Sequence, residues 1–99
     1  MTKLTQTGMS SWLLEGELTF ATVAGILNGG PQVKSAEAAV LDLSGVTRGD
    51  SAGLALLVEW LRAARDRGGT LEFTGVPREF VQLARVADLD GLIHDNQSR

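Results

Sequence analysis

An acid, a hydroxyl and a glycine stand together in Thr47-Arg48-Gly49-Asp50-Ser51-Ala52-Gly53-Leu54, between an apolar run and a helix-patterned one. Ser51 in such a place has several chemical uses: nucleophile, phosphate acceptor, partner contact or helix cap. Nucleophilic attack needs a neighbouring base to take the hydroxyl proton. The only histidine is His94, near the C-terminus, where it reads as a solvated surface residue. The order G-D-S-A-G differs from the glycine-serine-glycine elbow of hydrolases, and 99 residues leave no room for a hydrolase sheet with its triad. Serine hydrolysis is set aside.

Metal and cofactor chemistry fare no better. Asp42, Asp50, Asp66, Asp88, Asp90 and Asp95 are scattered over different elements, without EF-hand or histidine spacing, and cysteine is absent. The glycines form neither a phosphate-binding loop nor a dinucleotide fingerprint, so no cofactor is expected. What remains at the junction is a cap or a contact. Asp50 or Ser51 would accept bonds from unpaired N–H groups at a helix start. A hydroxyl at that positive end is also where a phosphate would be favoured or a partner would dock. The two readings are compatible.

The elements that position this junction emerge from periodicity. Trp12, Leu14 and Leu18 alternate with Leu13, Glu15 and Glu17, which predicts a half-buried strand over Ser11–Leu18. Lys3–Thr7 is a shorter strand before it, turning at Gly8-Met9-Ser10. Thr19 stands as an N-cap ahead of a helical stripe of Phe20, Val23, Ala24 and Leu27, stopped by Gly29-Gly30-Pro31. Ala38–Leu43 reads as a central strand covered on both faces, with Asp42 near its C-terminal end. A helix runs from Ser51 to about Arg67 and ends at Gly68-Gly69. Thr70–Thr74 is a strand. Pro77 opens a last helix with Phe80, Leu83, Ala84 and Ala87 on one stripe, and Leu89–Ile93 forms a final short element.

Strand, helix, strand, helix, strand and helix in sequence predict a single α/β domain over residues 1–99, with its core at about 11–93 and a flexible tail at 94–99. The unit Ala38–Thr74 is a βαβ with parallel strands, and the N-terminal hairpin adds an antiparallel edge. A mixed sheet of four to five strands with helices packed on it is the expected architecture.

Composition fits one ordinary globule, with 43% hydrophobic and 21% charged residues. A net charge of −3 offers no basic surface for nucleic acid. No apolar stretch approaches the roughly 18 residues of a membrane span, and MTKLTQTGMSSW has no apolar signal core. A cytoplasmic chain without direct membrane insertion is expected, working beside a membrane only through a partner. On the long helix, Leu54, Leu57, Val58 and Leu61 share the core face, at roughly 100° per residue. Leu56, Trp60 and Ala63 form a second apolar stripe. Either the domain's own helices cover it, or it is exposed as an interface anchor.

At this point the residues resemble a known family. Gly16-Glu17-Leu18, the run Val40-Leu41-Asp42-Leu43-Ser44-Gly45-Val46, and Asp50-Ser51-x-Gly53-Leu54 are similar to the STAS domain, over about Ser11 to Ile93. That family includes anti-sigma factor antagonists and domains attached to membrane transporters. In the phospho-switch antagonists, two bulky apolar residues usually precede the Asp-Ser pair, a second hydroxyl residue follows it, and a glycine often follows the leucine. Here Arg48-Gly49 precede, Ala52 replaces the hydroxyl and Ala55 replaces the glycine. G-L-A-L-L is instead similar to the stand-alone STAS subunits of Mla-type phospholipid-transport ABC systems.

That resemblance implies a non-enzymatic subunit that binds the ABC transporter ATPase, and through it a permease, in a system maintaining outer-membrane lipid asymmetry. The family's key hydroxyl maps onto Ser51. The expected docking surface is Thr47, Arg48, Asp50, Ser51, Ala52, Gly53 and Leu54, with Leu56 and Trp60 on the adjoining helix. The alternative is an antagonist that binds an anti-sigma factor kinase and is switched by phosphorylation of Ser51.

Overall fold

Alternation at the N-terminus makes a hairpin. In the computed structural model, which describes residues 2–93, strand β1 (Lys3–Gly8) runs antiparallel to β2 (Ser11–Leu18), with Leu4 opposite Leu14 and Thr5 opposite Leu13. Strand β3 (Ala38–Gly49) lies parallel to β2, pairing Trp12 with Leu41, and β4 (Thr70–Thr74) lies parallel to β3. The result is a four-stranded mixed sheet in the order β1-β2-β3-β4. Its helices are α1 (Phe20–Val23), α2 (Ser51–Asp66) and α3 (Arg78–Val86). The expected α/β architecture is present, with the antiparallel edge where the hairpin put it.

The core lies on one face of this sheet. Leu14, Leu18, Leu41, Leu43 and Phe73 meet Leu57 of α2 and Phe80 of α3, all 2% exposed or less. Strand β3 departs from expectation in two ways. It continues through Ser44-Gly45-Val46-Thr47-Arg48-Gly49, because Glu15 to Leu18 of β2 pair alongside it as far as Gly49. It is also covered on one face only: Ala39, Leu41 and Leu43 are buried, whereas Val40 and Asp42 are half-buried between them. An apolar run with this alternation suits a central strand whose other face carries no helix.

Helix α1 is the second departure. The expected stripe of Phe20, Val23, Ala24 and Leu27 needs two regular turns, but the helix stops after four residues. Thr22 and Val23 are β-branched, and Gly25 weakens the next turn. The chain goes on in tight turns, with Ile26 N–H to Val23 O at 3.1 Å and Gly29 N–H to Ile26 O at 3.0 Å. Three-residue turns bring Val23 and Ile26 onto the core side and leave Phe20 and Leu27 outside.

Helix α2 ends as its sequence predicts. Gly68 adopts φ +85°, its N–H donates to Arg65 O at 2.9 Å, and the Gly69 N–H donates to Ala64 O at 3.0 Å. That paired closure satisfies two terminal carbonyls and needs a residue at ease in the left-handed region. After α3, Leu89–Ile93 forms a turn, with Ile93 N–H to Leu89 O at 3.0 Å, and buries the Ile93 side chain. The expected flexible tail 94–99, His94 included, lies outside the described residues. Among those residues, no helix is long and apolar enough to cross a membrane.

Candidate functional site

Asp50 caps α2, and the geometry shows how. Its backbone is extended, and its Oδ1 accepts from the N–H of Ala52 at 3.0 Å and of Gly53 at 3.1 Å. The other oxygen, Oδ2, accepts from the Phe20 N–H at the head of α1, 3.0 Å away. The Phe20 amide is the largest influence holding the Asp50 carboxyl below its ordinary value of 3.8, followed by the Gly53 and Ala52 amides and the Arg48 charge. Partial burial opposes them. Donated bonds favour the charged form, so this carboxylate stays ionised.

Ser51 begins α2 and is exposed. Cap duty falls to Asp50, and the Ser51 hydroxyl has no protein partner among the described residues. Two glycines bring the surroundings close. A Cβ on Gly53 would overlap the Leu18 carbonyl oxygen and lie 2.9 Å from its carbon, so only glycine lets α2 seat on the end of β2. A Cβ on Gly49 would overlap the Phe80 ring, and the Gly49 N–H donates to Glu79 Oε2 at 3.3 Å. Thr47 and Arg48 are exposed at the end of β3, Ala52 is half-buried, and Gly53 and Leu54 are buried behind them.

Two shallow depressions flank Asp50-Ser51 and share Gly49 and Asp50 as a common wall. One is lined by Glu17, Thr19, Phe20, Ala21 and Arg48. The other is lined by Ser51, Glu79, Gln82, Leu83 and Val86. Phe20 is 82% exposed and Val86 87% exposed, so two large apolar side chains stand uncovered on either side of the hydroxyl. Sequence reading missed both as surface residues. The signal for Val86 was an apolar residue off the Phe80–Ala84 stripe of a strongly amphipathic helix. Phe20 was hidden by the expectation of a longer α1.

Leu56 and Trp60 do not belong to this surface. They are 3% and 6% exposed, and the connection after α1 covers Trp60. Trp60 Nε1 donates to the Leu27 carbonyl at 3.3 Å, and its ring lies so close to Gly30 that a Cβ there would come within 2.5 Å of Nε1. Leu56 and Trp60 are therefore core, which corrects the expectation that these two residues meet a partner, while Ala63 of the same stripe is exposed. Short turns, not a helix, supply the cover.

Among the described residues, no cluster of metal-ligating side chains exists. The Asp50 oxygens accept three amide bonds, and Glu79, which lines the same depression as Ser51, accepts from the Gly49 N–H through Oε2. The arrangement suits contact, with a small hydroxyl between two apolar groups and Arg48, Glu17 and Glu79 around them.

The candidate site is thus the exposed head of a capped helix at the end of a mixed sheet. The family model described as "Mlab, STAS domain" matches residues 9–94, and the chain belongs to the STAS domain family. Its fold is that of the anti-sigma factor antagonist SpoIIAA in its unphosphorylated form, at TM-score 0.55 and 13% identity, covering 86% of this chain and 82% of that one. A weaker likeness, at TM-score 0.48 and 21% identity, is to Mglu in its native form, covering 71% of this chain and 22% of that one. A search of curated proteins found no match. STAS domains are in general non-enzymatic interaction modules, a role that fits both an antagonist-like protein and an accessory subunit.

Proposed function

We propose that this chain is a non-enzymatic, cytoplasmic STAS subunit that docks on the ATPase of an Mla-type phospholipid-transport ABC transporter at the inner membrane. The observation that carries the reading is the unbonded Ser51 hydroxyl set between exposed Phe20 and Val86. The description of the matching family supports the partner class. Burying each apolar side chain in an interface would contribute up to about 1.5–3 kcal/mol, enough for two anchors to dominate a small contact. Ser51 between them is small enough to let a partner's backbone approach. Arg48, Glu17 and Glu79 at the rim would set orientation more than affinity. Thr47, Arg48, Asp50, Ser51 and Ala52 form the contact, while Gly53 and Leu54 support it from behind. Replacing Ser51 with arginine should weaken ATPase binding at least about tenfold, or ~1.4 kcal/mol, with an unchanged melting temperature. Wild-type affinity in S51R, measured by titration calorimetry, would refute the docking surface.

A second reading rests on the same exposed hydroxyl. A phosphate on Ser51 would lie at the positive end of α2, the position that best tolerates added negative charge. The chain would then be an antagonist released from an anti-sigma factor kinase by phosphorylation. Incubation with the kinase and ATP, read by intact mass, tests it; an unmodified chain refutes it.

A further inference from the structure

We infer that Asp50 is a positioning residue whose carboxylate ties α1 to the head of α2 and thereby holds Phe20 beside Ser51. Helix α1 has four residues and none of them is fully buried; Val23 packs partly against the core, whereas Phe20 at its head is 82% exposed and has no packing of its own to hold it. Its other polar anchors are local: Thr22 Oγ1 donates to Glu17 O at 2.8 Å and accepts from the Thr19 N–H at 3.0 Å. The Phe20–Asp50 bond reaches across 30 residues to the next strand-helix junction.

The two oxygens divide the work. Oδ1 serves α2 through Ala52 and Gly53, and Oδ2 serves α1 through Phe20. Asparagine is as good a helix cap as aspartate, because capping needs one acceptor oxygen. It has only that one, and its other end is an NH2 donor that would face the Phe20 N–H. A plain cap would therefore tolerate Asp50→Asn, whereas a latch would not. Its functional meaning rests on the docking reading: a cation brought by a partner would compete with the Phe20 N–H for the carboxylate, a phosphate on Ser51 would compete with the carboxylate for the amide donors, and either would shift Phe20.

The test is amide hydrogen exchange on the full chain, without any partner, in the wild type and in Asp50→Asn. The expected result is that Ala52 and Gly53 keep their protection while the Phe20 amide exchanges about tenfold faster. Unchanged exchange at Phe20, or equal loss at all three amides, overturns the inference. Should D50N fail to fold, an acid titration of the wild type decides by NMR. Asp50 has Arg48 of β3, Glu17 of β2 and Glu79 of α3 around it. The amide shifts of Phe20, Ala52 and Gly53 should track one transition below the ordinary carboxyl value. A Phe20 shift that ignores this transition overturns the latch. The docking reading is judged separately, by partner binding of Phe20→Ala.

Discussion

The first turn of α2 meets the end of β2 at Gly53 and Leu18, where the strand's last carbonyl occupies the space a Cβ would need. Leu18 O also accepts from the Asp50 N–H at 3.4 Å, so strand end and helix head form one joint. In an exposed helix, replacing glycine with alanine usually stabilises by about 0.5–1 kcal/mol. Here the sign reverses. Gly53→Ala should cost about 3 kcal/mol through overpacking, seen as a lower urea midpoint with an unchanged slope. Partner binding would fall with it, because Ser51 rides on that turn.

Trp60 and Phe20 should behave in opposite ways. Trp60→Ala removes a buried ring and should cost about 3–5 kcal/mol in a denaturant melt. Phe20→Ala and Val86→Ala act on exposed side chains and should stay within about 0.5 kcal/mol of wild type. The same two substitutions should lower ATPase affinity, measured by calorimetry on the purified pair. A stable W60A chain would contradict the assignment of this residue to the core.

Acid should loosen the molecule through two carboxylates. Asp50 is held below its ordinary 3.8, mainly by the Phe20 amide. Glu37 is held below 4.5, first by the Lys34 N–H and then by the Ser10 hydroxyl. A carboxyl whose folded pKa is depressed binds protons more readily when unfolded, so its contribution is whole above the ordinary value. It is lost as pH falls through the folded one. Stability should therefore decline as pH drops below about 4.5, the higher of the two ordinary values. D50N and Glu37→Gln should each flatten that decline, read as melting temperature against pH.

Much of this was legible beforehand because local rules and global packing agree. Trp12, Leu14 and Leu18 alternate and are buried; Gly68-Gly69 ends α2 by the expected closure; Asp50 caps it. What escaped depended on neighbours distant in sequence at one place and on competing local signals at another. Nothing local at Trp60 reveals that Leu27 and Gly30 will lie over it. At Phe20 the local signals, β-branched Thr22 and Val23 followed by Gly25, were outweighed by the apolar stripe, and α1 stops after Val23 and leaves the ring in solvent. Ser51 is exposed, as the proposed contact requires, whereas Leu56 and Trp60, expected beside it, are buried.

The central claim is that Ser51, Phe20 and Val86 form a docking surface for an ABC transporter ATPase. Affinity capture from detergent-solubilised membranes of the protein's own source tests it most directly, with wild type, S51R and F20A as baits and mass spectrometry as the readout. The predicted result is an ABC ATPase with its permease on the wild-type bait, and loss of both on the two variants. Recovery of a histidine-kinase-like anti-sigma factor, or equal ATPase recovery on all three baits, would contradict it.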